Sequence, residues 1–377
     1  MPSFLLINYY RTEVLFVHIV LSGYYGFDNV GDEAILYSII QAFRKLKPEI
    51  EITVLSNNPE ATAATYGVKA INRWKFKEVS ALLKESDGLI SGGGSLLQDK
   101  TGLKSIPYYT GIMRMAKKHK KPVFIYAQGM GPIDKWISKW ITKQMLNGVD
   151  AITVRDEASR ALLQNIGVKK SITVVPDPVI GLGGNDFKCE WLNAQQFKGN
   201  SYVTVSVRDW PSSVAFMEKI AAGLDLLARN GQTVVFIPMH GEHDEKASQT
   251  AAGLMAEQSV IAPYDLSIEE KIAVIGGSDL LIGLRLHSLI FAAIQYTPFI
   301  ALSYDPKIDA FAEIVDQPIL GHIEKDHWSG QQLFDLSNEI LGNRDNIEAE
   351  IRRKVEKLQG EAVETAKLAL SVFEGRS

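Results

Sequence analysis

The sequence lacks the features of an extracellular or membrane-spanning protein. It has a single cysteine, Cys189, in 377 residues, which excludes an internal disulfide and favours a reducing compartment. No apolar run approaches the roughly 20 residues that a membrane-spanning helix needs. The apolar stretch at residues 4–7 has no basic segment before it and no small-residue cleavage site after it, which argues against a signal peptide. We therefore expect a cytoplasmic protein.

A strong excess of charge of either sign is also absent. The chain has 40 Lys and Arg residues against 44 Asp and Glu residues, a net charge of −4. Such a balance provides no basic field, so nucleic acid is not an expected partner. With 46% hydrophobic and 22% charged residues, the composition is that of a globular protein, and the length favours two domains over one.

Short apolar segments alternate with amphipathic ones along the whole chain. We predict strands at 17–22, 51–55, 88–91, 123–127, 151–154, 202–207, 233–238, 279–283 and 298–303. Helices are predicted at 33–46, 61–66, 79–84, 105–118, 214–229, 267–275 and 288–295. This order predicts an α/β protein with parallel sheets covered by helices on both faces, built as two Rossmann-like domains with a cleft between them.

Proline and glycine interrupt the periodicity at residues 175–184, which is the best candidate for a domain boundary. The predicted organisation has four parts: an N-terminal appendage at 1–16, a first domain at 17–180, a second domain at 181–339 and a C-terminal helix at 340–377. We expect that last helix to pack back against the first domain.

The run GLRLHSLIFAA at residues 283–293 places two basic side chains two residues apart. Arg285 and His287 follow a predicted strand and precede a predicted helix, at the edge where open α/β sheets bind ligands. An arginine can hold a carboxylate or phosphate through two parallel hydrogen bonds, and a histidine transfers protons near neutral pH. The pair therefore indicates an anionic substrate and acid–base chemistry.

Two glycine-rich loops follow strands of the first half. In GYYGFDNVGDEAIL at 23–36, three glycines permit close backbone approach and Asp32 is a candidate N-cap. In SGGGSLLQD at 91–99, successive glycines expose N–H groups that can hold an anion or a sugar hydroxyl. The candidate ligands in these loops are Tyr24, Asn29, Asp32, Gly93, Gly94, Gln98 and Asp99. A purely structural turn is the alternative for both loops, and neither is a GxGxxG dinucleotide motif.

Three further cations follow predicted strands. Arg155 and Arg208 each precede an acidic residue, so a local ion pair is the alternative to a role in the cleft. Lys307 follows the strand at 298–303, and a surface lysine is the alternative there. Because carboxyl ends of parallel strands share one edge of a sheet, we expect these cations to face the same cleft as Arg285.

The segment PMHGEHD at 238–244 contains two histidines and an aspartate. Its spacing on a loop differs from the helical HExxH pattern, and no third distant ligand is evident, so a metal site is the weaker interpretation. We predict that His240 is a hydrogen-bond donor lining the cleft.

A predicted helix at 134–145 combines tryptophan with lysine. Trp136 and Trp140 form an apolar stripe, and the lysines Lys135, Lys139 and Lys143 run along the adjacent face. This pattern is typical of helices that lie on anionic membrane surfaces. An ordinary core-facing helix with solvated lysines is the equally weighted alternative.

These motifs together resemble the polysaccharide pyruvyl transferase family, in particular its CsaB type, which modifies bacterial cell walls. The resemblance covers residues 17–335. It rests on six motifs in order: GYYGFDNVGDEAIL (23–36), SGGGSLLQD (91–99), VRDEAS (154–159), PMHGEHD (238–244), GLRLHSLIFAA (283–293) and SYDPK (303–307).

The resemblance implies a fold like that of GT-B glycosyltransferases, with the active site between two Rossmann-like domains. It implies transfer of a pyruvyl group from phosphoenolpyruvate to two hydroxyls of a sugar, forming a cyclic ketal, with no metal or organic cofactor. The implied acceptor is a lipid-linked ManNAc–GlcNAc precursor of a secondary cell-wall polymer, whose ketal anchors S-layer homology domains. A peripheral contact with the inner face of the membrane would bring the enzyme to such an acceptor.

Within this resemblance each candidate residue acquires an expected role. Arg155, Arg208, Arg285 and Lys307 are expected to bind phosphoenolpyruvate. His287 is expected to deliver a proton to the enol carbon, with Asp32 and Asp99 positioning or deprotonating the acceptor. The expected acceptor ligands are Tyr24, Asn29, Gly93, Gly94, Gln98 and His240.

Two other functions remain open from the sequence. The first is a nucleotide-sugar glycosyltransferase or epimerase on the same fold, but its usual acidic ligand for the ribose hydroxyls is missing from residues 288–295. The second is a non-catalytic glycan-binding module, for which the clustered cations at strand ends would be unnecessary.

Overall fold

The computed structural model describes residues 17–100, 102, 104–184, 186–195, 197, 201–210 and 213–375. The predicted N-terminal appendage at 1–16 therefore lies outside the described residues. Within the described ranges, no helix is both long enough and apolar enough to cross a bilayer.

The first half is built on a sheet of seven parallel strands. They are β1 (His18–Ser22), β2 (Glu51–Ser56), β3 (Lys69–Asn72), β4 (Gly88–Gly92), β5 (Val123–Gln128), β6 (Ala151–Val154) and β7 (Ile172–Val174). Their order in the sheet is β3-β2-β1-β4-β5-β6-β7. The helices are α1 (Val30–Leu46), α2 (Pro59–Tyr66), α3 (Phe76–Glu85), α4 (Ser105–Lys118), α5 (Trp136–Leu146) and α6 (Glu157–Asn165).

The second half repeats this plan with six parallel strands. They are β8 (Tyr202–Ser206), β9 (Thr233–Phe236), β10 (Ser259–Ile261), β11 (Leu280–Gly283), β12 (Phe299–Ser303) and β13 (Ile319–His322), in the order β10-β9-β8-β11-β12-β13. The helices are α7 (Glu190–Ala194), α8 (Ser213–Arg229), α9 (Gly241–Gly253), α10 (Ile268–Gly276), α11 (Leu286–Ile294), α12 (Pro306–Val315), α13 (Gly330–Gly342) and α14 (Arg344–Glu374). The prediction of an α/β fold with two parallel, Rossmann-like sheets is confirmed.

The strand order reverses between β1 and β4 in the first sheet and between β8 and β11 in the second. Open α/β sheets bind ligands in the crevice beside such a switch point, at the carboxyl ends of the strands. The loops after β1 and β4 carry the two glycine-rich motifs, and the loop after β11 carries Arg285. The topology thus brings the predicted motifs to the edges where a ligand site forms.

Apolar packing joins the two halves. One continuous cluster of buried side chains runs from the first sheet and α1 through α10 and α11 to α14; Ile19, Ile35, Ile272, Phe291 and Phe373 are examples. Two other clusters cover the opposite faces of the two sheets. Because the shared cluster packs beneath the first turns of α1 and α11, it fixes the positions of those two helix ends relative to each other.

Several predicted boundaries differ from the structure. Helix α1 begins at Val30, and its N-cap is Asn29, whose Oδ1 accepts a hydrogen bond from the N–H of Gly31 at 3.1 Å. Asp32 therefore lies in the first helical turn instead of capping it. Residues 238–244 were predicted as a loop, but α9 begins at Gly241.

The start of the predicted C-terminal helix at 340–377 also differs, because α13 ends at Gly342 and the long helix α14 begins at Arg344. Helix α14 then returns to the first sheet. Lys47 forms an ion pair with Glu374 at 2.8 Å. The Phe373 ring lies against Gly88, where an added Cβ would be 2.3 Å from it. The boundary after residue 180 stays a prediction; a 3₁₀ turn at Pro178–Leu182 follows β7 there.

Candidate active site

A cleft of about 960 Å³ lies at the carboxyl ends of the strands and is lined from both halves of the chain. The predicted residues that line it are Tyr24, Asn29, Asp32, Gly94, Gln98, Arg155, Arg285, His287 and Lys307. Loops after β1, β4 and β6 of the first sheet thus face loops after β11 and β12 of the second. The structure brings together residues that are up to 283 positions apart, from Tyr24 to Lys307.

Cations from both halves meet at one serine. The Lys307 ammonium donates a hydrogen bond to Oγ of Ser95 at 2.9 Å, and Nη2 of Arg155 lies 3.4 Å from the same oxygen. Burial, followed by the nearby Arg155 charge, lowers the pKa of Lys307. Two cations held this close in a partly buried cleft repel each other, so an anionic ligand between them would be strongly favoured. Ser95 itself was not among the predicted ligands.

Arg285 is held by an aspartate that the sequence did not assign to it. Its Nε and Nη2 donate to the two carboxylate oxygens of Asp244, at 2.9 and 2.5 Å. Asp244 lies in the first turn of α9, is fully buried, and also accepts a bond from the N–H of Met239. This two-point pairing fixes the plane of the guanidinium and leaves its remaining edge for a ligand. Because its carboxylate is engaged in this way, Asp244 is a poor candidate for a metal ligand.

Helices α1, α11 and α12 are among those that begin at the cleft. Their first turns contribute Gly31, Leu286 and Lys307 to its lining. No side-chain hydrogen bond caps the N-terminus of α11. Helix N-termini present backbone N–H groups and a partial positive charge, so each of these helix ends adds to the attraction for an anion.

His287 reaches across from α11 to the first half of the molecule. Its ring lies over Gly31, where an added Cβ would be 2.2 Å from Nδ1. Its Nε2 is buried without a hydrogen-bond partner, 3.9 Å from Oδ2 of Asp177. Burial lowers the pKa of His287 to about 4; the Asp177 charge opposes this, while Arg155 and Arg285 add to it. The imidazole is therefore uncharged at neutral pH, and Asp177 favours the tautomer with the proton on Nε2.

The pKa of Asp32 moves in the opposite direction. Burial raises it to about 7, although the neighbouring Arg155 charge works to lower it. The Asp32 carboxyl lies over the backbone of Gly94, where an added Cβ would be 2.4 Å from Oδ1. At neutral pH the cleft thus contains a carboxyl that is partly protonated, Asp32, and an imidazole that is uncharged, His287. Pairs of groups whose environments shift their pKa values in opposite directions are typical of acid–base catalysis.

Sequence reasoning missed Asp177, which it treated only as part of a domain boundary. One of its carboxylate oxygens accepts a hydrogen bond from Nη1 of Arg155 at 2.9 Å, and the other accepts from the N–H of Val179 at 3.1 Å. Asp177 therefore orients Arg155 and faces His287 at the same time. Asp177 follows β7 at the same sheet edge as the other candidates, and this position was the available signal. Its flanking prolines indicated a domain boundary instead.

Four predicted ligands do not line the cleft. The Asp99 carboxylate accepts hydrogen bonds from the N–H groups of Asp134 and Lys135, so it organises the loop before α5. Burial favours a higher pKa for Asp99, but these N–H groups hold it below its usual value. Asp99 is thus ionised and engaged, which argues against the predicted catalytic role.

The other three are engaged with neighbouring residues outside the cleft lining or at its border. The Arg208 guanidinium lies 4.6 Å from the ring centroid of Tyr304, a cleft residue. His240 precedes α9, with its ring 5.6 Å from that of His243. Gly93 adopts a φ of +41° and packs on Ile35, a turn that requires glycine. Among the residues that the structure describes, no group of three or more His, Cys, Asp or Glu side chains could hold a metal ion.

Most of the aromatic part of the cleft was not predicted. Tyr24 and Phe27 stack with ring centroids 4.1 Å apart, and Trp74 and Tyr108 pack with centroids 5.0 Å apart. The Arg73 guanidinium lies among them, 4.3 Å from the Tyr108 centroid. Only Tyr24 of this group was a candidate from the sequence.

The fold and cleft define the class of protein first: a two-domain, GT-B-like α/β protein with a ligand cleft between parallel sheets. Solved structures of UDP-N-acetylglucosamine 2-epimerases share this fold. One from Neisseria meningitidis, bound to UDP-GlcNAc, matches with a TM-score of 0.62 and 12% identity over 96% of this chain and 100% of that one. A Listeria monocytogenes protein described as such an epimerase matches at 0.64, with 12% identity over 96% and 98% of the two chains. At these identities the likeness shows the fold alone.

The family follows from the sequence match. The sequence profile described as "Polysaccharide pyruvyl transferase" matches residues 29–306, and the chain belongs to this family. The chain is also similar to the amylovoran biosynthesis protein AmsJ of Erwinia amylovora, with 22% identity over 302 residues, covering 73% of this chain and 70% of that protein. These matches support a transferase with a role in polysaccharide pyruvyl transfer.

Proposed function

We propose that the protein transfers the pyruvyl group of phosphoenolpyruvate to two hydroxyls of a saccharide, forming a cyclic ketal and releasing phosphate. The observation that carries this proposal is the convergence of Arg155, Arg285 and Lys307 on the cleft that also contains Asp32 and His287. Phosphoenolpyruvate has a carboxylate and a phosphate, so it needs several fixed cations and helix N-termini, together with a nearby acid and base.

The pKa values of Asp32 and His287 favour acid and base roles that are the reverse of those that the sequence predicts. Asp32, with a pKa of about 7, carries a proton in a large share of molecules at neutral pH, whereas His287, with a pKa of about 4, does not. In our proposal Asp32 therefore donates to the enol carbon, and His287 accepts from a sugar hydroxyl. Asp177 then faces the resulting imidazolium and stabilises it, as a carboxylate beside a catalytic histidine does.

The reaction balances with these two groups. The double-bond electrons of phosphoenolpyruvate form a C–H bond with the Asp32 proton, which leaves an oxocarbenium-like C2. One hydroxyl oxygen bonds to C2 and gives its proton to His287. The C2–O bond to phosphate breaks with its electron pair on phosphate, and the second hydroxyl closes the ring and loses its proton. The proton on His287 passes to the departing phosphate, and the proton of the second hydroxyl restores Asp32, so both groups return to their starting forms.

For the acceptor we propose a lipid-linked ManNAc–GlcNAc precursor of a secondary cell-wall polymer, the substrate of the CsaB type. The resemblance in six ordered motifs supports this choice. The resulting ketal would serve to anchor S-layer homology domains. Tyr24, Asn29, Gln98 and the backbone at Gly94 line the cleft beside Asp32 and provide hydrogen-bonding groups for sugar hydroxyls.

Incubation of the purified protein with phosphoenolpyruvate and a ManNAc–GlcNAc disaccharide tests the function directly. We expect phosphate release together with the addition of one pyruvyl mass to the saccharide. A parallel incubation replaces phosphoenolpyruvate with UDP-GlcNAc. Consumption of the nucleotide sugar without any pyruvylated product would overturn the proposal in favour of a GT-B-type glycosyltransferase or epimerase.

The pH dependence of Asp32→Asn tests the acid assignment. The active form has Asp32 protonated and His287 uncharged, so it dominates between the two pKa values, about 4 and about 7. We expect kcat/KM of the wild-type protein to fall as the pH rises above about 7, because Asp32 then loses its proton. In Asp32→Asn the rate should drop by about 10²-fold or more and this upper limb should disappear.

Phosphoenolpyruvate itself titrates near pH 6, as phosphate monoesters do, but this affects both proteins equally. An Asp32→Asn variant that keeps the wild-type upper limb would assign that limb to another group. Steady-state phosphate release across the pH range measures both profiles.

We also propose that α5 contacts an anionic membrane surface. Trp136 is 77% exposed and Trp140 54% exposed, whereas Ser138 and Thr142, on the opposite side of the helix, are buried. The tryptophan stripe thus faces away from the core, which disfavours the ordinary-packing alternative. Tryptophan beside lysine suits the boundary between headgroups and acyl chains, where a lipid-linked acceptor presents its saccharide.

Reversing the charge of this helix tests the membrane contact. We expect Lys135→Glu, Lys139→Glu and Lys143→Glu together to weaken binding to phosphatidylglycerol-containing vesicles by about 100-fold, since each lysine near an anionic surface contributes about 1 kcal/mol. The matched control reverses three exposed lysines elsewhere, namely Lys246, Lys325 and Lys357. Equal losses in the two triple variants would indicate a net-charge effect, and co-sedimentation with vesicles measures both.

A further inference from the structure

The aromatic part of the cleft lies on the opposite side of Asp32 from Arg155. Trp74 follows β3, at one edge of the first sheet, whereas Arg155 follows β6, on the far side of β1 and β4. Asp32 stands between them, because it lies in the first turn of α1, which follows β1, and β1 lies between β3 and β6 in the sheet. The cleft therefore has a cationic end and an aromatic end, with the proton-carrying carboxyl in the middle.

Arg73 fixes the geometry of the aromatic end. It is 3% exposed, and it donates hydrogen bonds to the carbonyl of Gly23 at 2.9 Å and to the hydroxyl of Tyr109 at 3.2 Å. Its guanidinium also lies 5.3 Å from the ring centroid of Phe27 and 5.2 Å from that of Trp74. One buried cation thus holds rings from three separate segments in a single wall.

The pairing of Arg73 is incomplete. Its Nε is buried without a hydrogen-bond partner, and within the described ranges no carboxylate forms an ion pair with it. An unpaired buried donor is costly unless a ligand or a bound water satisfies it. Trp74 beside it is also unusually open, since its ring is 52% exposed although its Nε1 is anchored on Oδ1 of Asn57 at 3.2 Å. Both observations point to a ligand that combines apolar faces with oxygen atoms.

We propose that this wall, formed by Tyr24, Phe27, Trp74 and Tyr108 around Arg73, is a second saccharide subsite. It would bind the pyranose ring next to the one that receives the pyruvyl group. This inference rests on the proposed pyruvyl transfer and adds which side chains bind the sugar beside the one that is modified. A pyranose presents polarised C–H groups on its faces, which attract the negative faces of aromatic rings, and hydroxyls around its edge.

The size of the cleft agrees with this assignment. Small-molecule sites have volumes of about 300–1,000 Å³, and this cleft, at about 960 Å³, is near the upper end. A three-carbon donor and one sugar ring at the cationic end would leave the aromatic end empty. A second ring would cover the exposed face of Trp74 and bring hydroxyl oxygens to Arg73.

Trp74→Ala provides the test, with Phe76→Ala as the matched control. Phe76 is a neighbouring aromatic residue, 45% exposed and 6.3 Å from the Tyr108 ring, but it does not line the cleft. We expect the methyl glycoside of ManNAc–GlcNAc to bind the wild-type protein about tenfold more tightly than methyl ManNAc, the effect of one good aromatic contact. Trp74→Ala should abolish this difference, and Phe76→Ala should preserve it. Calorimetric titration without phosphoenolpyruvate measures binding, and quenching of Trp74 fluorescence locates it.

Three results would overturn the subsite: equal affinity for the two glycosides in the wild-type protein, an unchanged preference in Trp74→Ala, or the same loss in Phe76→Ala. Phosphate release and pyruvyl transfer to both glycosides, combined with an affinity difference that Trp74→Ala leaves unchanged, would show that pyruvyl transfer stands while the subsite fails. If disaccharide binding depended on Trp74 but no pyruvyl product formed, the subsite would stand and the proposed transfer would be rejected.

Discussion

Replacing His287 with alanine is expected to lower kcat by about 10²- to 10⁴-fold, the range contributed by a well-placed acid–base group. Binding of phosphoenolpyruvate should change little, because the imidazole, with its pKa lowered to about 4 by burial, carries no charge at neutral pH. The result would therefore be a loss of turnover without a matching loss of donor affinity. Steady-state phosphate release and calorimetric titration with phosphoenolpyruvate measure the two quantities separately.

The His287 ring is buried against Gly31, so the alanine variant also opens a cavity. His287→Asn keeps part of the volume and a hydrogen-bonding side chain but cannot take up a proton, and it should show the same loss of kcat. His327→Ala, at an exposed position outside the cleft, is the matched control. If a folded His287 variant lost donor affinity as strongly as kcat, the histidine would be an anion ligand and not a base.

Replacing Arg285 with alanine is expected to weaken phosphoenolpyruvate binding by about 100-fold. Loss of a two-point, charge-assisted contact with a desolvated anion costs about 3 kcal/mol. Arg285→Lys should recover only part of this loss, since an ammonium cannot pair with Asp244 through two bonds and present a planar edge to the ligand. Arg114→Ala, an exposed arginine on α4, should leave the affinity unchanged.

Arg285→Ala also leaves Asp244 buried and unpaired, which destabilises the fold and would confuse the interpretation. The double variant Arg285→Leu with Asp244→Leu removes this problem, because replacing both members of a buried pair with apolar side chains often restores stability. We expect its melting temperature to recover relative to Arg285→Ala while phosphoenolpyruvate binding stays weak. Recovery of binding in the double variant would mean that Arg285 has only a structural role.

The buried strands were predictable because they are enclosed on both faces. A central parallel strand such as β4 is buried throughout and largely apolar, so it is recognisable from its own few residues. The edge strands β3 and β7 are only partly buried and mix polar with apolar residues, so no continuous apolar run marks them. The N-terminus of α1 was misplaced for a related reason, since Asn29 and Asp32 are both good capping residues and the choice depends on the path of the preceding loop.

Most of the candidate cations and His287 were predictable from one topological rule. Parallel strands place their carboxyl ends at a common edge, so polar residues that follow predicted strands are brought together. The rule succeeded for Arg155, Arg285 and Lys307, which all line the cleft. It failed for Asp99 and Arg208, which follow strands but engage a neighbouring loop and neighbouring rings instead. Position at a strand end does not determine the direction of a side chain.

The sequence alone thus determined the parallel α/β architecture, the family resemblance and most of the charged residues at the cleft, because these depend on local periodicity and on residue type. The tertiary structure decided what those residues do. Asp244 and Arg285 are 41 positions apart, and Asp177 and His287 are 110 apart, yet each pair is in contact or faces across the site. Burial, which only the folded chain creates, reverses the expected protonation of Asp32 and His287. It also encloses Arg73 among rings from three segments, where no local pattern indicates a site.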